Sequence, residues 1–220
     1  MSNSLARHSG QAGLCAALLG VIGIIIAGYP PDASSSIDQL REFVHHERAS
    51  ILINAAIFQL TIPFLFVFAA GLSRVASGTN GEQGALAWGG FAGNVGLQAV
   101  AISGFIPIVA AAWRGADDAL VRVAYDSNLL GLYAMTAGFS LASVVPVTIA
   151  GIITKALPAW IAIFALVVAA ANIAELIGLV FFDSGPMALG AGAGLVAVPA
   201  WLAWMAAVSV ALLIRRTAAP

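Results

Sequence analysis

Apolar runs of about 20 residues, the length that crosses roughly 30 Å of hydrocarbon, recur along this chain between short polar breaks. Six spans can be drawn, at 10–29, 50–72, 85–112, 127–153, 157–182 and 187–214. Connections this brief make neighbouring spans pack antiparallel in one bundle. No linker, low-complexity tract or repeat divides the chain, so residues 1–220 are read as one transmembrane domain. One external stretch carries a different period. In "SSSIDQLREFVHH", Ile37, Leu40 and Val44 form an apolar stripe opposite Asp38, Arg41 and Glu42, and Ser36 stands at the N-cap position. This predicts a short amphipathic helix on the outer interface, leading into the second span. The expected fold class is all-α: a polytopic membrane bundle of six transmembrane helices plus one short external amphipathic helix.

Composition strengthens that reading. The chain is 61% hydrophobic and 9% charged, with a mean hydropathy of +0.99, outside the range of soluble domains. The lipid bilayer is therefore its first partner. A net charge of −1 and the lack of a basic patch speak against nucleic acid, and nothing in the sequence names a protein partner. The single Cys15, inside the first span, excludes an intrachain disulfide and a thiol-rich metal site.

Charge placement orients the bundle. Arg7, Arg74, Lys155, Arg215 and Arg216 fall on one side; Arg41, Arg48, Arg114 and Arg122 fall on the other. The acids divide more sharply, with Asp32, Asp38, Glu42, Glu47, Asp117, Asp118, Asp126 and Asp183 facing Glu82. Both termini are expected in the cytoplasm, in the inner (cytoplasmic) membrane. The alternative, cleavage of the first run as a signal peptide near "IIIAGYPPDASSS", is disfavoured because the run is span-length and an even span count keeps "LLIRRTAAP" cytoplasmic.

The order of these features is informative. A first span ends in "YPPDASS", and an amphipathic "LREFVHHERASIL" leads into the second. A tight "KALPAWIAIFALVVA" turn precedes the fifth, and "WLAWMAAVSVALLIRR" closes the chain. Together they resemble a broad group of bacterial, especially actinobacterial, six-span membrane proteins grouped as a domain of unknown function. The resemblance covers most of the chain and implies the six-span fold. Its motifs are topogenic, and it carries over neither an activity nor a site residue.

Polar residues inside the spans carry what chemistry there is. In "ANIAELIGLVFF", Glu175 shares a helical stripe with Val168, Ala171, Asn172, Gly178 and Phe182. The small members suit close helix contacts, so the carboxyl is expected to face the bundle. No Lys or Arg lies within a span to pair with it. An acid in hydrocarbon costs several kcal/mol unless paired, hydrated or protonated, so Glu175 is expected to be protonated or wet. Counted at about 1.5 Å per residue, it lies roughly 12 Å below the outer surface, with Gln59 and Tyr133 at about 13 and 10 Å. Pro63 frees the carbonyl of Gln59. Tyr133, Thr136, Ser140 and Ser143 form a polar stripe on span four; Asn94 and Gln98 share a face of span three; Asn54 and Asn128 lie nearer the mouth. Individually, these amides and hydroxyls are also ordinary interhelical glue.

Other features are plainer. His45 and His46 sit near Glu42 and Glu47, but adjacent histidines diverge by about 100° on a helix, so no metal and no cofactor is expected. The tryptophans fall mostly at span ends, as an aromatic belt does. "WGGFAGNVG" reads as close helix packing rather than phosphate binding.

The expectation is a protein that binds or transports a small apolar or amphiphilic ligand in a cavity in the outer half of the bundle, with Gln59, Tyr133, Asn172, Gln98, Asn54 and Asn128 as contacts. A second reading is an intramembrane enzyme, a cyclase or isomerase, with Glu175 as general acid on an isoprenoid-like substrate. Asp126, at the mouth of span four, would be the nearest second carboxylate. A third is an accessory subunit of a larger membrane complex.

Overall fold

The structure, a computed structural model, describes residues 3–28, 31, 34–78, 81–115, 117–182 and 194–214. The expected start of the sixth span at 187, the loop acids Asp32 and Asp183, and the tail arginines Arg215 and Arg216 lie outside the described residues. Its helices are α1 (Asn3–Ala27), α2 (Ile37–His46), α3 (Arg48–Ala76), α4 (Gly81–Arg114), α5 (Asp118–Leu129), a π-helical turn (Leu130–Ala134), α6 (Met135–Ile153), α7 (Ile161–Phe181) and α8 (Gly194–Ile214). Among the described residues there is no strand. Six helices are long and apolar enough to cross a membrane, with α5, the π turn and α6 forming one continuous rod, Asp118–Ile153. The chain is a multi-pass integral membrane protein.

The spans close into a ring. Each packs on its successor in the chain, and α8 returns to α1. Alternate spans run antiparallel, so α2 and the α4–α5 connection share one side, called the α2 side below; the α3–α4 and α6–α7 connections share the far side. At the α6–α7 turn Lys155 adopts φ 56°, which reverses the chain within a few residues.

Two features of the ring were not legible in the hydropathy. First, the fourth rod begins at Asp118, nine residues before the expected start at 127. Asp117 caps it by accepting from the Leu120 N–H at 2.9 Å, and its first turns carry Arg122 and Asp126, paired at 3.1 Å. Those charges disguised a helix that stands proud of the hydrocarbon. Second, α2 rests on this extension rather than on lipid alone. Ser36 and Gln39 form a reciprocal capping box at its start. Leu40 and Val44 are buried against Val121, Ala124, Tyr125 and Ile108, and Arg41 forms an ion pair with Asp118. The Asp118 hydrogen bond, and then its charge, hold the Arg41 pKa above its ordinary value.

The far half of the ring is filled. Phe68, Leu72, Val75, Val144, Val147, Leu157, Ile161, Val168, Trp204, Met205, Val208 and Leu212 form a continuous apolar core. Trp204 was expected in the aromatic belt; it is instead 1% exposed, and its indole N–H donates to Thr148 Oγ1 at 3.1 Å. Ser9, in this half, donates to the Phe68 carbonyl at 2.9 Å, whereas Ser209 Oγ is buried without a partner.

Helix contact around the ring depends on small residues, because lipid provides no hydrophobic drive for helices to associate. The "WGGFAGNVG" stretch confirms the packing reading. A Cβ built on Gly93 would sit 2.5 Å from the Ala142 carbonyl carbon and from the Ser143 nitrogen. Nearby, one on Gly104 would sit 2.5 Å from Gly131 Cα, so α4 and the π turn meet backbone to backbone. Gly93→Val is expected to lower bundle stability by about 1–3 kcal/mol, the usual cost of overpacking. Gly89→Ala, where nothing lies within 4 Å of the added carbon, should leave it unchanged or slightly higher. Thermal unfolding in detergent compares the two.

Candidate functional site

The half of the bundle below α2 encloses a cavity of ≈ 300 Å³ to which every span contributes. Its wall is segregated. On α1, α3 and α8 it is mainly apolar, with Leu19, Ile24, Ile57, Leu65, Val198 and Leu202. On the rods opposite the polar residues gather, with Gln98 among the apolar Leu97, Phe105 and Ile108 of α4, Asn128 from α5, Tyr133 from the π turn, Thr136 and Ser140 from α6, and Asn172 and Glu175 from α7. Phe43 of α2 reaches the cavity from above.

Periodicity explains which residues arrive there. Glu175 is 3% exposed and Asn172 likewise 3%, one turn apart on the buried face of α7, as their small-residue stripe demands. Of the residues singled out by sequence, Glu175, Tyr133, Asn172, Gln98, Asn54 and Asn128 all line this one cavity. Gln59 does not. The cavity face of α3 runs Ile51, Asn54, Phe58, Thr61 and Leu65, and Gln59 lies one residue, about 100°, beyond it, so it is exposed on the outside of the bundle. Its expected direction, into the bundle, is corrected by that single residue of phase. Asp126 is also outside: it pairs with Arg122 on α5 and does not line the cavity. Asn94 is buried on α4 at 2% exposure, in the helix contact rather than the site.

The hydrogen bonding separates two kinds of polar group. Thr61 donates to the Ile57 carbonyl at 2.8 Å, and the Asn172 amide donates to the Val168 carbonyl at 2.8 Å. Thr136 donates to the Leu132 carbonyl at 2.6 Å, which serves the π turn, where the regular helical pairing is shifted. These groups are satisfied within their own helices. By contrast, Gln98 Oε1, Asn128 Oδ1, Glu175 Oε1 and Trp201 Nε1 are buried without a protein partner, and all four residues line the cavity. Tyr133 is the electrostatic neighbour of Glu175. Each unmatched buried group costs about 1–3 kcal/mol; four converge on this one void, and two more, Asn94 Oδ1 and Ser209 Oγ, lie away from it.

No protein-family profile matches this sequence, and neither the curated proteins nor the solved structures hold a match. The site therefore stands on its own geometry.

Two contributors escaped the sequence. Trp201 read as a belt residue, yet its face on α8, one turn from Val198 and Ala197, turns it to the cavity. The π turn has no sequence signature; it places Tyr133 and Asn128 on the same wall although a regular helix would rotate them apart.

If the unmatched groups serve a ligand rather than the fold, removing one should not harm stability. Gln98→Met is expected to leave the unfolding midpoint of the ligand-free protein unchanged or raised, since it deletes an unpaired amide at nearly constant shape. Trp204→Phe, which breaks a made interhelical bond, should lower stability by about 0.6 kcal/mol or more. Denaturant titration in mixed micelles measures both.

Proposed function

We propose that the protein binds a small amphiphile in the cavity, its apolar body against α1, α3 and α8 and its polar head against Gln98, Asn128, Tyr133 and Glu175. The observation that carries this is the convergence of four unpartnered polar atoms on one cavity. Chemistry narrows the head group. The described lining holds no Lys, Arg or His; three of the four unmatched atoms are carboxyl or amide oxygens and the fourth is the Trp201 N–H, a set that suits a neutral head able to donate and accept and disfavours phosphate or carboxylate. Size narrows the buried part of the body: the half-open cavity of ≈ 300 Å³ is at the small end of ligand pockets, roughly 300–1,000 Å³, which fits one short chain or ring system.

Binding is favoured over transport because the far half is filled by apolar side chains and offers no polar path. The enzymatic reading is less well supported: Glu175 is the one carboxylate among the described lining residues, and Asp126 is committed to Arg122. In this reading both termini face the cytoplasm across a bacterial inner membrane, as the placement of basic and acidic residues suggests, and the α2 side opens outward.

Two experiments test these points. A neutral fluorescent amphiphile with a hydroxyl or amine head, titrated into purified protein, is expected to bind wild type and to bind Gln98→Met and Asn128→Leu about tenfold more weakly each, one hydrogen bond to the head being lost. Glu175→Gln should retain the fold, and its binding should stay within a few-fold if the head is neutral. Equal binding to all variants would remove the site. For orientation, on a Cys15→Ser background, Glu42→Cys should react with an impermeant maleimide in intact cells, whereas Glu82→Cys should react only after permeabilisation; the reverse pattern would invert the bundle.

A further inference from the structure

A second cavity, of ≈ 310 Å³, lies on the α2 side where α2 runs into α3 beside the end of α4. Helical spacing builds one wall. Arg41, Val44 and His45 follow i, i+3, i+4 on α2 and share a face, and Arg48, the first residue of α3, joins them across the turn at Glu47, while Glu42 and Glu47 are not among the lining. The other wall is Ala111, Ala112, Trp113, Arg114 and Gly115 at the end of α4, with Val121 of α5. Three arginines and a histidine thus line the space without a carboxylate.

Three carbonyls at the end of α4 that would repel an anion here already accept hydrogen bonds. The Ala111 carbonyl accepts from the Gly115 N–H at 3.0 Å. The Ala112 and Trp113 carbonyls accept from Arg48 Nε at 2.8 Å and Nη2 at 3.1 Å. Arg48 therefore cancels the negative end of the α4 dipole and still holds Nη1 free of these bonds. Arg41 is neutralised by Asp118 and Asp38. Arg48 and Arg114 carry no carboxylate partner among the described residues, and His45 is exposed beside them. Trp113, 63% exposed, stands at the level where the spans enter the bilayer, the depth at which tryptophan meets lipid head groups.

We infer that this basic cavity binds a phosphate-bearing anion at the membrane surface, held by Arg48 and Arg114 with His45 at its rim. Guanidinium groups recognise phosphate through paired, charge-assisted hydrogen bonds. The source is either the head group of an anionic lipid or a free phosphate compound. The site is separate from the central cavity, whose described lining holds no cation.

The test uses the full-length protein. In one arm, native mass spectrometry follows retention of phosphatidylglycerol by protein extracted from vesicles of phosphatidylcholine with a minority of phosphatidylglycerol. In the other, inorganic phosphate is titrated against chloride at matched ionic strength while thermal unfolding is followed. Retention of phosphatidylglycerol over phosphatidylcholine is expected for wild type, weakened about tenfold in Arg114→Gln and less in His45→Gln. Lys155→Gln, a cation on the far side, should match wild type. Stabilisation by phosphate without lipid retention would assign the site to a soluble phosphate compound. The inference is overturned if neither arm shows binding, or if Arg114→Gln and His45→Gln both bind as wild type does.

Discussion

In hydrocarbon the backbone has no water to turn to, so each span must satisfy its own N–H and C=O groups along its length. That constraint shapes the rest of this protein. It leaves side chains as the material for an interior site, and it makes the approach of one helix to another depend on how little side chain stands between them. Gly93 and Gly104 bring α4 within backbone contact of α6 and the π turn. The exceptions to regular pairing are few, and one of them lies at the site: the π turn at Leu130–Ala134, whose neighbouring Thr136 hydroxyl serves the Leu132 and Tyr133 carbonyls. An irregular backbone in a membrane is tolerated where it borders a cavity, and here it does.

The two halves of the ring obey opposite rules. On the far side, apolar side chains fill the centre, and Ser9, Thr148 and Trp204 make the bonds that glue helices together. On the α2 side the centre is left open, and four of the residues facing it carry unmatched groups. Gln98, Asn128, Glu175 and Trp201 have no partner within the chain and meet at one void, whereas Asn94 Oδ1 and Ser209 Oγ, also unmatched, do not line it. The same contrast separates the two cavities by charge. The central one presents oxygens and no described cation, whereas the surface one presents arginines and no described carboxylate. Ligands of different polarity would thus be sorted by position, with anions held at the surface and neutral or donor-rich heads admitted below. The α2 helix touches both, through Phe43 to one and Arg41, Val44 and His45 to the other.

Much of this was legible in the order of residues. Span existence follows from hydropathy alone, because hydrocarbon thickness sets a minimum apolar length and loop polarity marks the ends. The amphipathic α2 followed from Ser36, Leu40 and Val44, and the inward direction of Glu175 from the small residues on its stripe. These are properties of one helix and its solvent, and a one-dimensional pattern contains them. What the pattern could not contain is relative rotation. Gln59 and Asn54 lie on the same span with similar polarity, and a single residue of phase sends one outward and the other to the cavity. Arg122 and Asp126 hid the first turns of α5, because charge signals a loop until a neighbouring helix is known to cover the apolar face beneath. Trp201 and Trp204 read as belt residues until α8 was placed against α1 and α7. Closure of the ring, the division into a filled and an open half, and the meeting of four unmatched groups at one void depend on contacts between distant segments. Only the tertiary structure decided them, since hydrocarbon rewards any apolar face equally and leaves the choice of facing to how closely each pair of helices can fit.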